Sequence, residues 1–228
     1  MIRLSLPRFR AAAVGKAWRQ SVRYAAAQVD EVLMNRLRTE PTAIAAPDEI
    51  CDGLFICGLP ALRDHLDMFQ ARGVRSVLNA AESDLHRRAG LDLSQEFDVH
   101  VFGAGELRDD MDLASLADRF IRASDFAQRG RQVGGVVVHC ASGMSRSSSV
   151  CMAHLMISEG FLLDSAARLV CAARPAVRPG RGLWRQLRWL EDQIKSERER
   201  QGRPLLALPP PTTPCQLRAA AAVEEFDK

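Results

Sequence analysis

The stretch Val136-Val-Val-His-Cys-Ala-Ser-Gly-Met-Ser-Arg-Ser147 places a short apolar run directly before a loop rich in glycine and serine. A wholly apolar run of this length is typical of a strand that is buried on both faces. We expect a helix to follow, from Arg146 to about residue 158, with Gly160 as its end. A strand, a tight loop and a helix N-terminus in this order form a nest of backbone N–H groups that binds an anion.

Strand-like and helix-like segments alternate on both sides of this loop. This alternation predicts an α/β fold, in which a central sheet is covered by helices. The predicted strands are Gly53–Gly58, Arg75–Ala80, Phe97–Phe102 and Val136–Val138, and the predicted helices cover 60–72, a segment opening at Ser115, 146–158, 163–173 and 182–196.

The loop carries residues suited to attack on phosphorus. Cys140 lies where the nest and the helix dipole favour a thiolate, so we expect its pKa to be depressed and the thiolate to be a nucleophile. Arg146 can bind two phosphate oxygens with its planar guanidinium, Gly143 permits close approach of the backbone, and Ser147 can donate a hydrogen bond to the sulfur. We expect His139 to support the loop by hydrogen bonding and not to act as a base. The alternative is a buried cysteine before a flexible loop.

The nonapeptide from His139 to Ser147 fits the pattern H-C-x-x-G-x-x-R-S and resembles the protein tyrosine phosphatase signature. The flanking segments 150–156 and 173–187 are similar to the dual-specificity branch, and the resemblance covers roughly residues 48–196. The small atypical dual-specificity phosphatases are the group that the chain fits best. This resemblance implies a protein tyrosine phosphatase-like fold: a central mixed, mostly parallel sheet flanked by helices.

The resemblance also implies how the phosphate is bound. The loop residues that surround it are Ala141, Ser142, Gly143, Met144 and Ser145, together with Arg146. Asn79, at the end of a predicted strand, is expected to brace the loop, although an ordinary turn asparagine is an equally good interpretation.

Cleavage of a phosphate ester needs a proton for the leaving oxygen, and a carboxylic acid usually donates it. The resemblance places this acid on a loop that precedes a helix, where Asp109 and Asp110 are adjacent. In relatives a polar helix cap follows the acid by five residues and a leucine or aromatic residue by ten. Counting from Asp110 reaches Ser115 and Phe120, so we favour Asp110 over Asp109. The alternative is that these aspartates only solubilise the loop.

The expected activity is hydrolysis of phosphotyrosine and phosphoserine/threonine in proteins through a phosphocysteine intermediate, with no metal ion or other cofactor. Apart from Arg146 the loop has no basic residue, which favours a phosphoprotein substrate over an inositol phosphate. Two alternatives stay open: a phospholipid or phosphocarbohydrate phosphatase on the same fold, and a phosphate-binding adaptor with weak or no turnover.

Composition limits the other classes of function. Lys plus Arg number 31 against 28 for Asp plus Glu, so bulk charge does not indicate nucleic-acid binding. The six cysteines form no CxxC pair, which argues against a zinc site and favours reduced thiols in a cytoplasmic protein. No apolar run approaches the roughly 20 residues of a transmembrane helix.

We expect three zones: a basic leader (1–47), the catalytic domain (48–197) and a Pro/Ala-rich disordered tail (198–228). Residues 1–29 contain arginine and lysine but no acidic residue. An N-terminal helix packed on the domain is favoured for this leader. A mitochondrial transit peptide and a helix that contacts a membrane surface are the alternatives.

Overall fold

The computed structural model describes residues 46–102, 113–211 and 214–227, with the side chains of 113–115 and 214–215 excluded. Five strands form one sheet in the order β1-β2-β5-β3-β4. Strand β1 pairs antiparallel with β2, and the other neighbours are parallel. The predicted mixed, mostly parallel sheet is thus confirmed. The strands are β1 (Asp48–Cys51), β2 (Leu54–Gly58), β3 (Ser76–Asn79), β4 (Asp98–Val101) and β5 (Val136–Cys140).

Helices cover both faces of the sheet. They are α1 (Leu59–Asp64), α2 (Leu66–Ala71), α3 (Leu85–Arg88), α4 (Leu113–Gln132), α5 (Arg146–His154), α6 (Leu163–Ala173), α7 (Arg181–Arg200) and α8 (Pro214–Glu224), with a π-helical turn over Leu155–Glu159 and a 3₁₀ turn over Glu225–Asp227.

Alternation along the strands divides the apolar residues between two cores. On β5, Val136 and Val138 face the larger core under the long helices, whereas Val137 faces a smaller core under α1 and α2. Successive side chains of a strand point to opposite faces, and every residue of β2 and β5 is buried. The apolar run Val136–Val138 therefore belongs to the central strand of a sheet that is covered on both faces.

Three boundaries differ from the prediction. The single helix expected over 60–72 is broken at His65, whose backbone leaves helical geometry (φ −130°, ψ 25°), so α1 and α2 are separate. Helix α4 begins at Leu113, two residues before the expected Ser115. The helix expected to run from 146 to 158 changes to π-helical hydrogen bonding after His154, and Gly160 follows it with a positive φ of 83°.

The prediction of a disordered tail is wrong for the described part of 198–228. Helix α7 continues to Arg200, residues 206–209 lie along α6, and α8 packs against α6. The apolar residues Ala219, Val223 and Phe226 are buried, and their spacing of four and three is that of an amphipathic helix. The neighbouring proline run concealed this short pattern. Asp227 then accepts hydrogen bonds from Trp184 and Arg188 of α7.

Candidate active site

The loop 141–145 joins the carboxyl end of the central strand β5 to the N-terminus of α5. In open α/β sheets, binding sites form at this edge. Cys140 is the last residue of β5 and is 2% exposed. Arg146 is the first residue of α5, so the fold places the predicted nucleophile and the predicted phosphate clamp at the two ends of one short loop.

The sulfur of Cys140 has hydrogen-bonding partners in the loop and in the first turn of α5. The backbone N–H of Gly143 donates to Sγ over 3.2 Å, and the Ser147 hydroxyl lies 3.3 Å away. Burial by itself raises the pKa of the Cys140 thiol, but the hydrogen bonds from Ser147 and Gly143 and the charge of Arg146 lower it by more. The net pKa lies below the ordinary value, so the site favours a thiolate.

The carbonyl oxygens of the loop all accept hydrogen bonds from groups behind it. Their donors are Leu59 N for residue 141, the Arg174 guanidinium for 142 and 143, Arg178 N for 144, and Ser149 N for 145. In a trans peptide the C=O and the following N–H point in opposite directions. The N–H groups of 142–146 therefore face the side where Gly143 N meets the sulfur, which makes a nest for a phosphate.

Two glycines allow the loop to lie directly against the end of β2. Gly143 has a φ of +73°, and a Cβ there would be 2.5 Å from the carbonyl carbon of Cys57 and 2.6 Å from its oxygen. A Cβ on Gly58 would be 2.9 Å from the carbonyl of Ser142. Backbone packs on backbone here, so the loop has no room to shift towards β2.

A buried ion pair supports the loop, and it was not predicted from the sequence. Arg174 donates to the carbonyl of Gly143 over 2.8 Å and pairs with Asp48 over 2.6 Å. Their side chains are 1% and 3% exposed. A buried guanidinium needs such partners, so β1 and the turn after α6 fix the shape of the phosphate nest.

Arg146 has a partner that the sequence did not predict. Its Nη1 donates to Glu82 Oε1 over 2.8 Å. A hydrogen bond to its own backbone and the Arg146 guanidinium hold the pKa of Glu82 below its usual value. Asn79, expected to brace the loop, instead shapes the turn that carries Glu82: its Oδ1 accepts from Ala81 N and its Nδ2 donates to the Glu82 carbonyl.

His139 contacts the backbone of the nucleophile and a second histidine. Its Nδ1 is 3.4 Å from the carbonyl oxygen of Cys140, and its Nε2 is 2.8 Å from Nε2 of His86. Burial and the neighbouring His86 lower the pKa of His139 to about 3. The ring is therefore neutral near pH 7 and is not poised as a general base. His86 was not singled out from the sequence, because nothing local distinguishes it.

The general-acid candidates Asp110 and Asp109 lie outside the described residues, so their placement stays a prediction. The nearest described residue before them, Phe102, donates its N–H to the Asn79 carbonyl over 2.9 Å. On the other side, Phe120 of α4 is buried, but α4 begins at Leu113, so Ser115 lies within the helix and is not the cap assumed in counting from Asp110.

The other cysteines near the nucleophile are structural in their surroundings. Cys57 faces the smaller core, across the sheet from the core that Cys140 adjoins, and Cys151 is buried within α5. Burial raises the pKa of both thiols, so neither is activated. No disulfide occurs among the five cysteines whose side chains the structure describes.

Comparison with known proteins points to one family. The family model "Dual specificity phosphatase, catalytic domain" matches residues 54–193. Human dual specificity protein phosphatase 13B is 31% identical over 152 residues, which make up 66% of this chain and 75% of that protein. A probable dual specificity protein phosphatase of Dictyostelium discoideum is 30% identical over 154 residues, which span only 35% of its length.

A solved structure has the same fold. The crystal structure of a mouse putative dual specificity phosphatase complexed with zinc tungstate superposes with a TM-score of 0.57 at 24% identity, covering 70% of this chain and 94% of that one. At this level of identity the likeness shows the architecture of the sheet and helices.

Proposed function

Because the chain belongs to the dual specificity phosphatase family, we propose that it hydrolyses phosphate monoesters on phosphotyrosine and phosphoserine/threonine of proteins through a phosphocysteine intermediate. One observation carries the proposal: the buried Cys140 sulfur accepts a hydrogen bond from Gly143 N–H inside a loop whose carbonyls are all bonded outwards. This arrangement stabilises both a thiolate and the anionic oxygens of a phosphoryl group.

In the first step the Cys140 thiolate attacks phosphorus in line with the leaving oxygen. A sulfur–phosphorus bond forms as the ester oxygen–phosphorus bond breaks, and Asp110 gives its proton to the leaving oxygen. The loop N–H groups and Arg146 stabilise the equatorial oxygens throughout. Glu82 holds one end of the guanidinium, so Arg146 is oriented before the substrate arrives.

In the second step water attacks the phosphocysteine, and the Asp110 carboxylate takes a proton from it. Inorganic phosphate forms and Cys140 leaves as a thiolate. The Ser147 hydroxyl, 3.3 Å from the sulfur, donates a hydrogen bond that stabilises the leaving group.

The surroundings of the loop favour protein substrates. Arg178 is next to the loop in space, and its Nη1 donates to the carbonyls of Pro175 and Val177 in its own turn. Within His139–Ser147, Arg146 is the one Arg or Lys residue, which suits a substrate with a single phosphate.

Turnover of phosphotyrosine peptide, phosphothreonine peptide and phosphatidylglycerophosphate, measured in parallel, tests the proposal. We expect peptide turnover that Cys140→Ser abolishes, and a phosphoryl adduct on Cys140 in rapidly quenched wild-type protein. The matched control is Cys51→Ser, because Cys51 is a half-buried cysteine on β1. We expect this variant to retain activity. Faster turnover of the lipid would favour the phospholipid alternative, and binding without turnover would favour an adaptor.

For localisation we propose the cytoplasm, with mitochondrial import as the alternative. The leader that bears on this choice lies outside the described residues. Among the described helices, none is long and apolar enough to cross a membrane. Imaging of a tagged full-length protein against one lacking residues 1–29 separates the two locations.

A further inference from the structure

His86 on the short helix α3 is in direct contact with the histidine that precedes the nucleophile. The Nε2 atoms of His86 and His139 are 2.8 Å apart. Their rings are within 20° of parallel, with centroids 4.8 Å apart. Two stacked rings keep their atoms at a van der Waals distance of about 3.5 Å or more, so the short contact means that the rings meet edge to edge in a hydrogen bond.

The direction of this hydrogen bond follows from the other end of the His139 ring. The carbonyl oxygen of Cys140 can only accept, so His139 Nδ1 carries the hydrogen that faces it over 3.4 Å. His139 is neutral near pH 7, so its Nε2 has a lone pair and no hydrogen. His86 Nε2–H must therefore be the donor.

We propose that His86 is a positioning residue for the nucleophile: by donating to His139 it fixes the tautomer that holds the Cys140 carbonyl. The inference rests on the proposed function and extends it to a residue that does not touch the substrate. Without the donor, His139 would have a buried, unbonded lone pair. It would then be free to move its hydrogen to Nε2, and the Nδ1 lone pair would face the Cys140 carbonyl.

The fold supports this role because one segment reaches both flanks of the nucleophile. Asn79 shapes the turn after β3, Glu82 on that turn holds Arg146, and His86 one turn later holds His139. The segment 79–86 thus contacts the residue just before Cys140 and the arginine that ends the loop. If His139 loses its fixed position, the Cys140 carbonyl loses its hydrogen-bond donor, and the sulfur of the same residue is held less firmly.

Substitutions at His86 test the proposal. His86→Phe keeps a planar ring without a donor, and His86→Gln places an amide N–H close to the position of Nε2. Arg87→Ala, on the same helix but 79% exposed and paired with Asp84, is the control. We measure kcat/KM on a phosphotyrosine peptide, and the pH dependence of Cys140 alkylation by iodoacetamide.

We expect His86→Phe to lower kcat/KM about 10-fold and to move the alkylation profile to higher pH. His86→Gln should restore most of both, and Arg87→Ala should stay within about 2-fold of wild type. Wild-type kinetics in His86→Phe, or failure of a folded His86→Gln to improve on His86→Phe, would overturn the proposal. Failure of the proposed function is distinguishable from failure of this inference, because it would show as turnover that persists in Cys140→Ser.

A measurement on the native protein covers the case in which the variants do not fold. Imidazole ¹⁵N chemical shifts report which ring nitrogen carries the hydrogen. We expect His139 protonated at Nδ1 and His86 protonated at Nε2. His139 found with its hydrogen on Nε2 would overturn the proposal.

Discussion

Glu82 pairs with Arg146, the arginine proposed to bind phosphate. Whether activity falls or rises when Glu82 is replaced therefore tests what this carboxylate does. The carboxylate either orients Arg146 for catalysis or competes with the phosphate for its donors. The Glu82 Oε1 atom contacts Nη1 at 2.8 Å, and a guanidinium has five N–H donors in a fork. Other donors are thus left for phosphate oxygens, so we expect orientation to outweigh competition.

The size of the effect follows from the kind of hydrogen bond. A bond involving charged groups contributes about 1.5–3 kcal/mol, against about 1 kcal/mol for a neutral one. The side chains of Arg146 and Glu82 are 23% and 33% exposed, so solvent screening favours the lower end. Glu82→Gln should then cost about 0.5–1 kcal/mol, or about 2- to 5-fold in kcat/KM, and Glu82→Ala about 10-fold.

Steady-state kinetics on a phosphotyrosine peptide, with inhibition by vanadate as a measure of anion binding, decides the matter. Glu49→Gln is the control, because Glu49 forms a comparable ion pair with Arg72 at an exposed place on β1. The reasoning is refuted if Glu82→Ala matches or exceeds wild type in kcat/KM while vanadate binds more tightly, since Glu82 would then compete with phosphate.

Three further predictions concern the supports of the site. Gly143→Ala puts a Cβ 2.5 Å from the carbonyl carbon of Cys57, so the loop must shift and kcat/KM should fall at least about 100-fold; wild-type kinetics would contradict this. Asp48→Asn leaves the Arg174 guanidinium buried without its counter-charge, and urea unfolding should show a loss of about 3–5 kcal/mol; an unchanged midpoint would contradict this. Burial lowers the pKa of His154 to about 3, whereas in the unfolded chain it is about 6.5. The unfolded chain therefore binds the proton first, and His154 by itself should lower stability by about 1.4 kcal/mol per pH unit as pH drops from about 6.5 towards 3, in addition to the like contribution of His139. His154→Gln should make this fall shallower, and an equal slope in both proteins would count against the assignment.

The sheet could be predicted because its signals are local. A short apolar run between Gly53 and Gly58 indicated β2, and an apolar run after Gly135 indicated β5. Apolar residues three and four positions apart, such as Leu183, Leu187 and Leu190, indicated α7. Cys140 and Arg146 followed from the same kind of evidence, since their spacing is fixed within a single loop.

Three of the contacts that support the site could not be predicted, because each joins distant parts of the chain. Glu82 and Arg146 are 64 residues apart, and His86 and His139 are 53 apart. The buried partners Asp48 and Arg174 are separated by 126 residues. No local pattern encodes such pairs, and a charged residue is most often on the surface. Their contacts follow from the sheet order, which a single sequence reveals only in outline.

The backbone contact between Gly58 and Gly143 has a consequence for how such an enzyme can be redesigned. Neither position accepts a side chain without moving a main-chain atom of the other segment, so the curvature of the loop cannot be tuned by substitution at these places. Libraries aimed at new selectivity should leave both glycines fixed and vary exposed positions beside the loop, such as Arg181, whose neighbour Gly180 donates its N–H to Ser145 Oγ. Substitution there alters the surface beside the loop while the phosphate nest keeps its shape.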